Sequence, residues 1–112
     1  MKKLPDKMVV AAVKASSRSN MCYKIGVCIF NKSEIISTGF NRWLHRGPTK
    51  YLPKYNYSIH AEEDALFGLS KKVTYGASIF IYREGNNLAK PCKKCMKLID
   101  KAGITHIYYS PI

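Results

Sequence analysis

Four residues in two short phrases carry side chains that can do chemistry together. "SIHAEEDAL" (58–66) sets His60 and Glu62 two apart, and "KPCKKC" (90–95) sets Cys92 and Cys95 three apart, just after Pro91. Residues two apart cannot stack one turn above the other on a helix. At a helix start, both His60 and Glu62 can still reach into one cleft. One imidazole and two thiolates form a set that zinc accepts, and catalytic zinc sites keep three protein ligands with a fourth position open to water. Cys92 and Cys95, at the start of a second helix, can face one point, and a helix N-terminus favours their thiolate forms. Pro91 suits a place just before or inside that first turn, where its missing N–H costs nothing. His60, Cys92 and Cys95 are therefore the expected metal ligands, and Zn2+ is the expected cofactor. Glu62 is the expected catalytic group, taking a proton from an activated water and handing it to a leaving nitrogen. Glu63 and Asp64 are expected to point elsewhere as surface acids. Taken alone, a C-x-x-C is also a redox pair or half of a structural zinc knuckle. A second C-x-x-C is absent, and a redox pair has no need of His60 or Glu62.

The elements that must position these groups follow from periodicity. Residues 7–17 read as a helix with Met8, Val9, Ala12 and Val13 on one face. "YKIGVCIF" (23–30) and "EIISTGF" (34–40) read as strands joined by the turn "NKS", a hairpin. A helix is expected from His60, with Ala61, Ala65 and Leu69 at helical spacing. "ASIFIYR" (77–83) reads as a third strand. "CKKCMKLIDKA" (92–102) reads as a helix with Cys95, Leu98, Ile99 and Ala102 inward, ended by Gly103, and "ITHIYYS" (104–110) as a fourth strand. The order is α-β-β-α-β-α-β. The last two strands, separated by a helix, are expected to be parallel neighbours in a three-layer α/β/α sandwich. No regular element is evident between Asn41 and Ile59, a length that usually serves a site or is disordered.

The chain has 112 residues, enough for one domain spanning 1–112. No apolar run is long enough to span a membrane, and "MKKLPDKMVV" does not read as a signal peptide. Of the four cysteines, Cys92 and Cys95 suit a reducing, cytoplasmic compartment. Cys22 and Cys28 are expected to stay free, with Cys28 in the core. The formal net charge is +12, from 19 basic and 7 acidic residues. Such a surface confers solubility, or attracts the phosphate of a nucleotide or of a nucleic acid strand. Composition leaves these open.

In its H-x-E (60–62) and P-C-x-x-C (91–95) motifs the chain resembles the zinc-dependent cytidine and deoxycytidylate deaminase superfamily, whose signature is that pair of motifs. "YKIGVCIFNKSEIISTGFN" is similar to the family's first hairpin, and "KLIDKAGITHIYYS" to the helix and strand that follow the cysteines in deoxycytidylate-type members. The resemblance implies a cytidine-deaminase-like sandwich. It also implies a hydrolytic enzyme that converts cytosine to uracil in a nucleoside or nucleotide. The motif itself does not choose cytosine over adenine. Longer members carry a further helix and strand, so either a minimal version or a sheet completed by a partner, including a second copy, is expected. By the same resemblance, Asn41 closes the second strand where relatives hydrogen-bond the sugar, and the backbone N–H groups of Ala61 and Cys92 hold the ring or the developing charge.

Two further contacts rest on residue type. Arg83, just after the third strand, is placed to meet a 5′-phosphate or is a surface arginine. In "RWLHRGPTKYLPKYNYSI", Arg42, Arg46, Lys50 and Lys54 alternate with Trp43, Tyr51, Tyr55 and Tyr57. Stacking bases and pairing phosphates is what a single strand needs. This keeps a polynucleotide deaminase, acting on single-stranded DNA or RNA, as the alternative function. The same residues also suit a lid over one nucleotide or simple loop packing.

Overall fold

The structure, a computed structural model, describes residues 4–44 and 57–112. Helix α1 is Asp6–Ser16 and buries Met8, Ala12 and Ala15. Val13, expected on that face, is 38% exposed. At 3.6 residues per turn it falls roughly 140° round from Met8, whereas Ala15 falls within about 20°. Strands β1 (Ile25–Asn31) and β2 (Glu34–Phe40) form the expected antiparallel hairpin. Lys32 takes a left-handed φ of 56° in its turn.

The span read as irregular holds two three-residue strands, β3 (Arg42–Leu44) and β4 (Tyr57–Ile59), paired antiparallel. They are too short to leave a periodic signal. Helix α2 is Ala61–Leu66 and stops short of Leu69, because Phe67 leaves the helical region and Gly68 takes a φ of 78°. A four-residue helix, α3 (Lys71–Thr74), follows. Strand β5 (Ser78–Arg83), a 3-10 turn at Glu84–Asn86, helix α4 (Lys93–Lys101) and strand β6 (His106–Tyr109) complete the fold.

The main sheet runs β2-β1-β5-β6, with β1 antiparallel to both neighbours and β5 parallel to β6. A helix must separate parallel neighbours, and α4 does. Val27, Ile29, Ile79 and Ile81 join Ala61, Ala65 and Ile99 in one core on the α2 and α4 side. The alternate residues Cys28, Phe30 and Phe80 pack with Met8 and Ala12 of α1 on the other. Burial on both faces explains why "GVCIF" and "IFI" read as near-continuous apolar runs. The three-layer α/β/α arrangement is as expected. Cys28 is fully buried, and burial pushes its thiol up to about 11.

Two features of this sheet set up the site. Antiparallel pairing puts the start of β1 beside the ends of β2 and β5, with Ile25 opposite Arg83 and Gly26 opposite Phe40. The second feature is how closely α1 lies on β1. A Cβ on Gly26 would fall 1.9 Å from the Ala12 carbonyl oxygen and 2.5 Å from the Ser16 nitrogen. Gly26→Ala must lift a helix backbone, and overpacking of this kind costs about 1–3 kcal/mol or more. The expected result is a lower urea midpoint at unchanged slope. A midpoint equal to wild type would contradict the close seat of α1.

Candidate active site

Helix α2 is fixed to β2 by backbone contact and by polar ties. Gly39 lies where a Cβ would meet Ala65 N at 2.5 Å and Ala61 O at 2.7 Å. Ser37 Oγ donates to the Ala65 carbonyl at 2.7 Å. Asp64 accepts from Phe40 N at 3.1 Å and pairs with Arg42 at 2.8 Å. Asp64 is thus an anchor and not the free surface acid expected from sequence. Glu63 also departs from that expectation: it accepts from His60 N and pairs with Lys94, each at 3.2 Å.

Helix α4 carries Cys92 at its N-cap, where the sulfur accepts from Cys95 N at 3.4 Å. At the far end, Thr74 Oγ1 donates to the Ala102 carbonyl at 2.7 Å. His60 is the N-cap of α2. Two helix starts therefore converge, and three candidate ligands come together. His60 Nδ1 is 3.7 Å from Cys92 Sγ and 3.4 Å from Cys95 Sγ. A tetrahedral zinc with bonds of ~2.3 Å to sulfur and ~2.05 Å to nitrogen sets that separation at about 3.6 Å. Among the described residues, His60, Cys92 and Cys95 are the one such group, with ligand atoms all within 4.8 Å of one another. All four cysteines are free thiols.

Glu62 lies beside this cluster and is 5% exposed. Burial raises its carboxyl above the ordinary range. Burial also pushes the Cys95 thiol well above the ordinary thiol range, and the neighbouring Glu62 charge pushes it further. Two buried acids that resist ionisation side by side make a place where a divalent cation is favourable. The donor types, their spacing and this local need all fit zinc.

A cleft of about 270 Å³ opens on the cluster. It brings together Asn41, Ala61, Glu62, Cys92 and Arg83. Trp43 is not part of its lining; it sits on β3, where its backbone N–H donates to Asn20 Oδ1 at 2.9 Å. Arg46, Lys50, Tyr51, Lys54 and Tyr55 lie outside the described residues. Asn41 is 3% exposed, and its side chain ties the cleft floor. Oδ1 accepts from Ile25 N and Nδ2 donates to the Tyr23 carbonyl, both at 2.8 Å. Arg83 lays its guanidinium over the Tyr23 ring at 5.4 Å, and its backbone N–H donates to Ser110 Oγ at 3.0 Å. Tyr23 and Lys90 also line the cleft, and neither carries a motif that marks it in the sequence. The nearest signal for Lys90 is its place next to Pro91; for Tyr23 there is none beyond preceding β1.

Residues 2–111 match the family model described as the cytidine and deoxycytidylate deaminase zinc-binding region. The deoxycytidylate deaminases of Mus musculus and Homo sapiens are each 27% identical over 114 residues, covering 91% of this chain. The chain spans 61% of the length of these curated relatives. A crystal structure of dCMP deaminase from the cyanophage S-TIM5 superposes with a TM-score of 0.66 at 24% identity, over 96% of this chain and 84% of that one. A cytidine deaminase from Burkholderia pseudomallei gives 0.62 at 20% identity, over 90% and 78%. Among the described residues, no helix is long and apolar enough to cross a membrane. With two helix starts bringing His60, Cys92 and Cys95 to one point and a family match that runs almost end to end, the chain belongs to the cytidine and deoxycytidylate deaminase zinc-binding family.

Proposed function

We propose that this protein is a zinc-dependent hydrolytic deaminase that converts cytosine to uracil in a nucleotide of the deoxycytidylate kind. The observation that carries the reading is the cleft lined together by Glu62, Ala61, His60 and Cys92, the last two belonging to the three-ligand group with Cys95. The names of the relatives support the substrate class. So does the S-TIM5 enzyme, whose structure is also described in complex with dCMP and dUMP.

Held by His60, Cys92 and Cys95, zinc supplies the Lewis acid that brings the ionisation of water toward neutral pH. Glu62 takes the proton of the attacking water. Water oxygen forms the new bond to the ring carbon that bears the amino group. Glu62 delivers that proton to the ring nitrogen, takes the second proton from the new hydroxyl and hands it to the amino nitrogen; the carbonyl forms as the carbon–nitrogen bond breaks, and ammonia leaves. The N–H groups of Ala61 and Cys92 stand at helix starts, where no partner exists within the helix, so they are free to hold the ring oxygen. Asn41 keeps one amide hydrogen and one lone pair beyond its two backbone ties, enough for a sugar hydroxyl. Thiol ligands suit a reducing compartment such as the cytoplasm.

Arg83, steadied on Tyr23 at the cleft rim beside Lys90, is the proposed 5′-phosphate contact. A charge-assisted contact at an exposed rim is worth roughly tenfold in affinity. Arg83→Gln is expected to raise KM for deoxycytidylate by about that factor and leave deoxycytidine unchanged. Equal changes for both substrates would remove the phosphate assignment.

The polynucleotide alternative rests on the net charge of +12. Incubation with cytidine, deoxycytidine, deoxycytidylate, adenosine and a cytosine-containing oligonucleotide, scored by ammonia and product mass, separates the readings. Deoxycytidylate is expected to turn over fastest. Tight, steeply salt-dependent binding and turnover of the oligonucleotide would favour the strand instead.

A further inference from the structure

We propose that Glu63 is a positioning residue that clamps the two helix starts together around the metal, with Lys94 as its counterpart on α4. The inference rests on the reading that His60, Cys92 and Cys95 hold zinc. It assigns a role to an acid that touches neither the metal ligands' donor atoms nor the cleft.

One oxygen of the carboxylate caps Glu63's own helix, and the other reaches α4. Oε1 of Glu63 accepts from the backbone N–H of His60 at 3.2 Å. Oε2 lies 3.2 Å from Lys94 Nζ. His60 supplies the imidazole, and Lys94 sits between the two cysteine ligands on the first turn of α4. Glu63 therefore caps the helix start that carries His60 and, through its other oxygen, links that helix to Lys94, the residue before Cys95 on α4. The need for such a link is geometric. A tetrahedral centre tolerates little change in the roughly 3.6 Å between imidazole nitrogen and sulfur. Yet α2 has only six residues, and so short a helix has little hydrogen bonding of its own to hold its first turn still. The Asp64 and Ser37 ties fix α2 to the sheet; Glu63 is the tie that faces α4.

The two halves of the clamp differ in strength. The Glu63 side chain is 27% exposed and that of Lys94 is 65% exposed. Solvent and salt weaken the ion-pair half, while the hydrogen bond to the His60 amide is the firmer one. Outer partners that orient metal ligands are typically worth about 10–100-fold in metal affinity.

The test is zinc affinity of the full-length chain, stripped of metal and titrated with Zn2+ against a competing chelator, together with the thermal midpoint of the metal-free protein. Glu63→Ala removes both contacts and is expected to weaken zinc about 10–100-fold. Glu63→Gln keeps an acceptor for His60 N but loses the charge, and is expected to weaken zinc only about threefold. Lys94→Met should match Glu63→Gln, and the double variant should be no weaker than either, because both remove one contact. Asp100→Asn, an exposed acid later on α4, should leave affinity unchanged. The metal-free midpoint of Glu63→Ala should fall modestly, as loss of a capping bond does, and those of the other variants should stay close to wild type.

Glu63→Ala within twofold of wild-type affinity would overturn the clamp. So would additive losses in the double variant, an equal loss in Asp100→Asn, or a fall in the metal-free midpoint with zinc affinity intact. A wild type that takes up no zinc would remove the site itself and the clamp with it.

Discussion

Glu62→Gln is expected to lose at least about 10³-fold in turnover while keeping its zinc and its fold. Proton transfer by a placed side chain is worth roughly 10²–10⁴-fold. In the proposed mechanism one carboxyl serves both the attack of water and the departure of ammonia, which puts the expected loss in the upper part of that range. Glutamine preserves the volume of a side chain that is only 5% exposed, so the surrounding packing is undisturbed. The three ligands are untouched, and substrate should still bind. Sequence alone offers Glu63 or Asp64 as the control, but both have structural partners. Glu34, exposed at the start of β2 on the opposite end of the hairpin, is the proper one. Turnover, zinc content and substrate affinity measured for Glu62→Gln beside Glu34→Gln decide the matter. A Glu62→Gln enzyme with more than a tenth of the wild-type rate, or one that has lost its metal, would show that Glu62 is not the proton carrier.

Cys95→Ala is expected to abolish both metal binding and activity. The sulfur of Cys95 is fully buried, and it is the nearer of the two thiols to His60 Nδ1. Without it, one imidazole and one exposed thiol remain, too few to hold zinc against dialysis. Metal binding is coupled to the order of the groups that make the site, so the starts of α2 and α4 should loosen as well. The expected signs are zinc well below one equivalent per chain, no detectable ammonia, and faster amide exchange at the first turns of both helices. Stoichiometric zinc after dialysis would mean that the ligand set is different.

The parts of this site that are legible in sequence are the local ones. His60 and Glu62, and Pro91, Cys92 and Cys95, sit within a few residues of each other at helix starts, so spacing alone reveals them. The hairpin and the parallel pair β5–β6 are legible for a similar reason, since their apolar runs are long and their connections constrained. What sequence hides depends on distant partners or on backbone conformation. Glu63 and Asp64 look like surface acids because Lys94, Phe40 and Arg42 are remote along the chain. The early end of α2 is masked by Leu69, which keeps helical spacing although Phe67 and Gly68 have already left the helix. The role of Asn41 as a tie between Tyr23 and Ile25 follows from the β1–β2 register, which residue type cannot supply.

The most direct test is to incubate the zinc-loaded wild type with deoxycytidylate in water enriched in heavy oxygen and to follow ammonia and product by mass. The expected result is one ammonia released for each deoxyuridylate formed, with one solvent oxygen in the base of the product, and at least about 10³-fold slower formation of both in Glu62→Gln. A fully zinc-loaded wild type that leaves deoxycytidylate and deoxycytidine unchanged would contradict it.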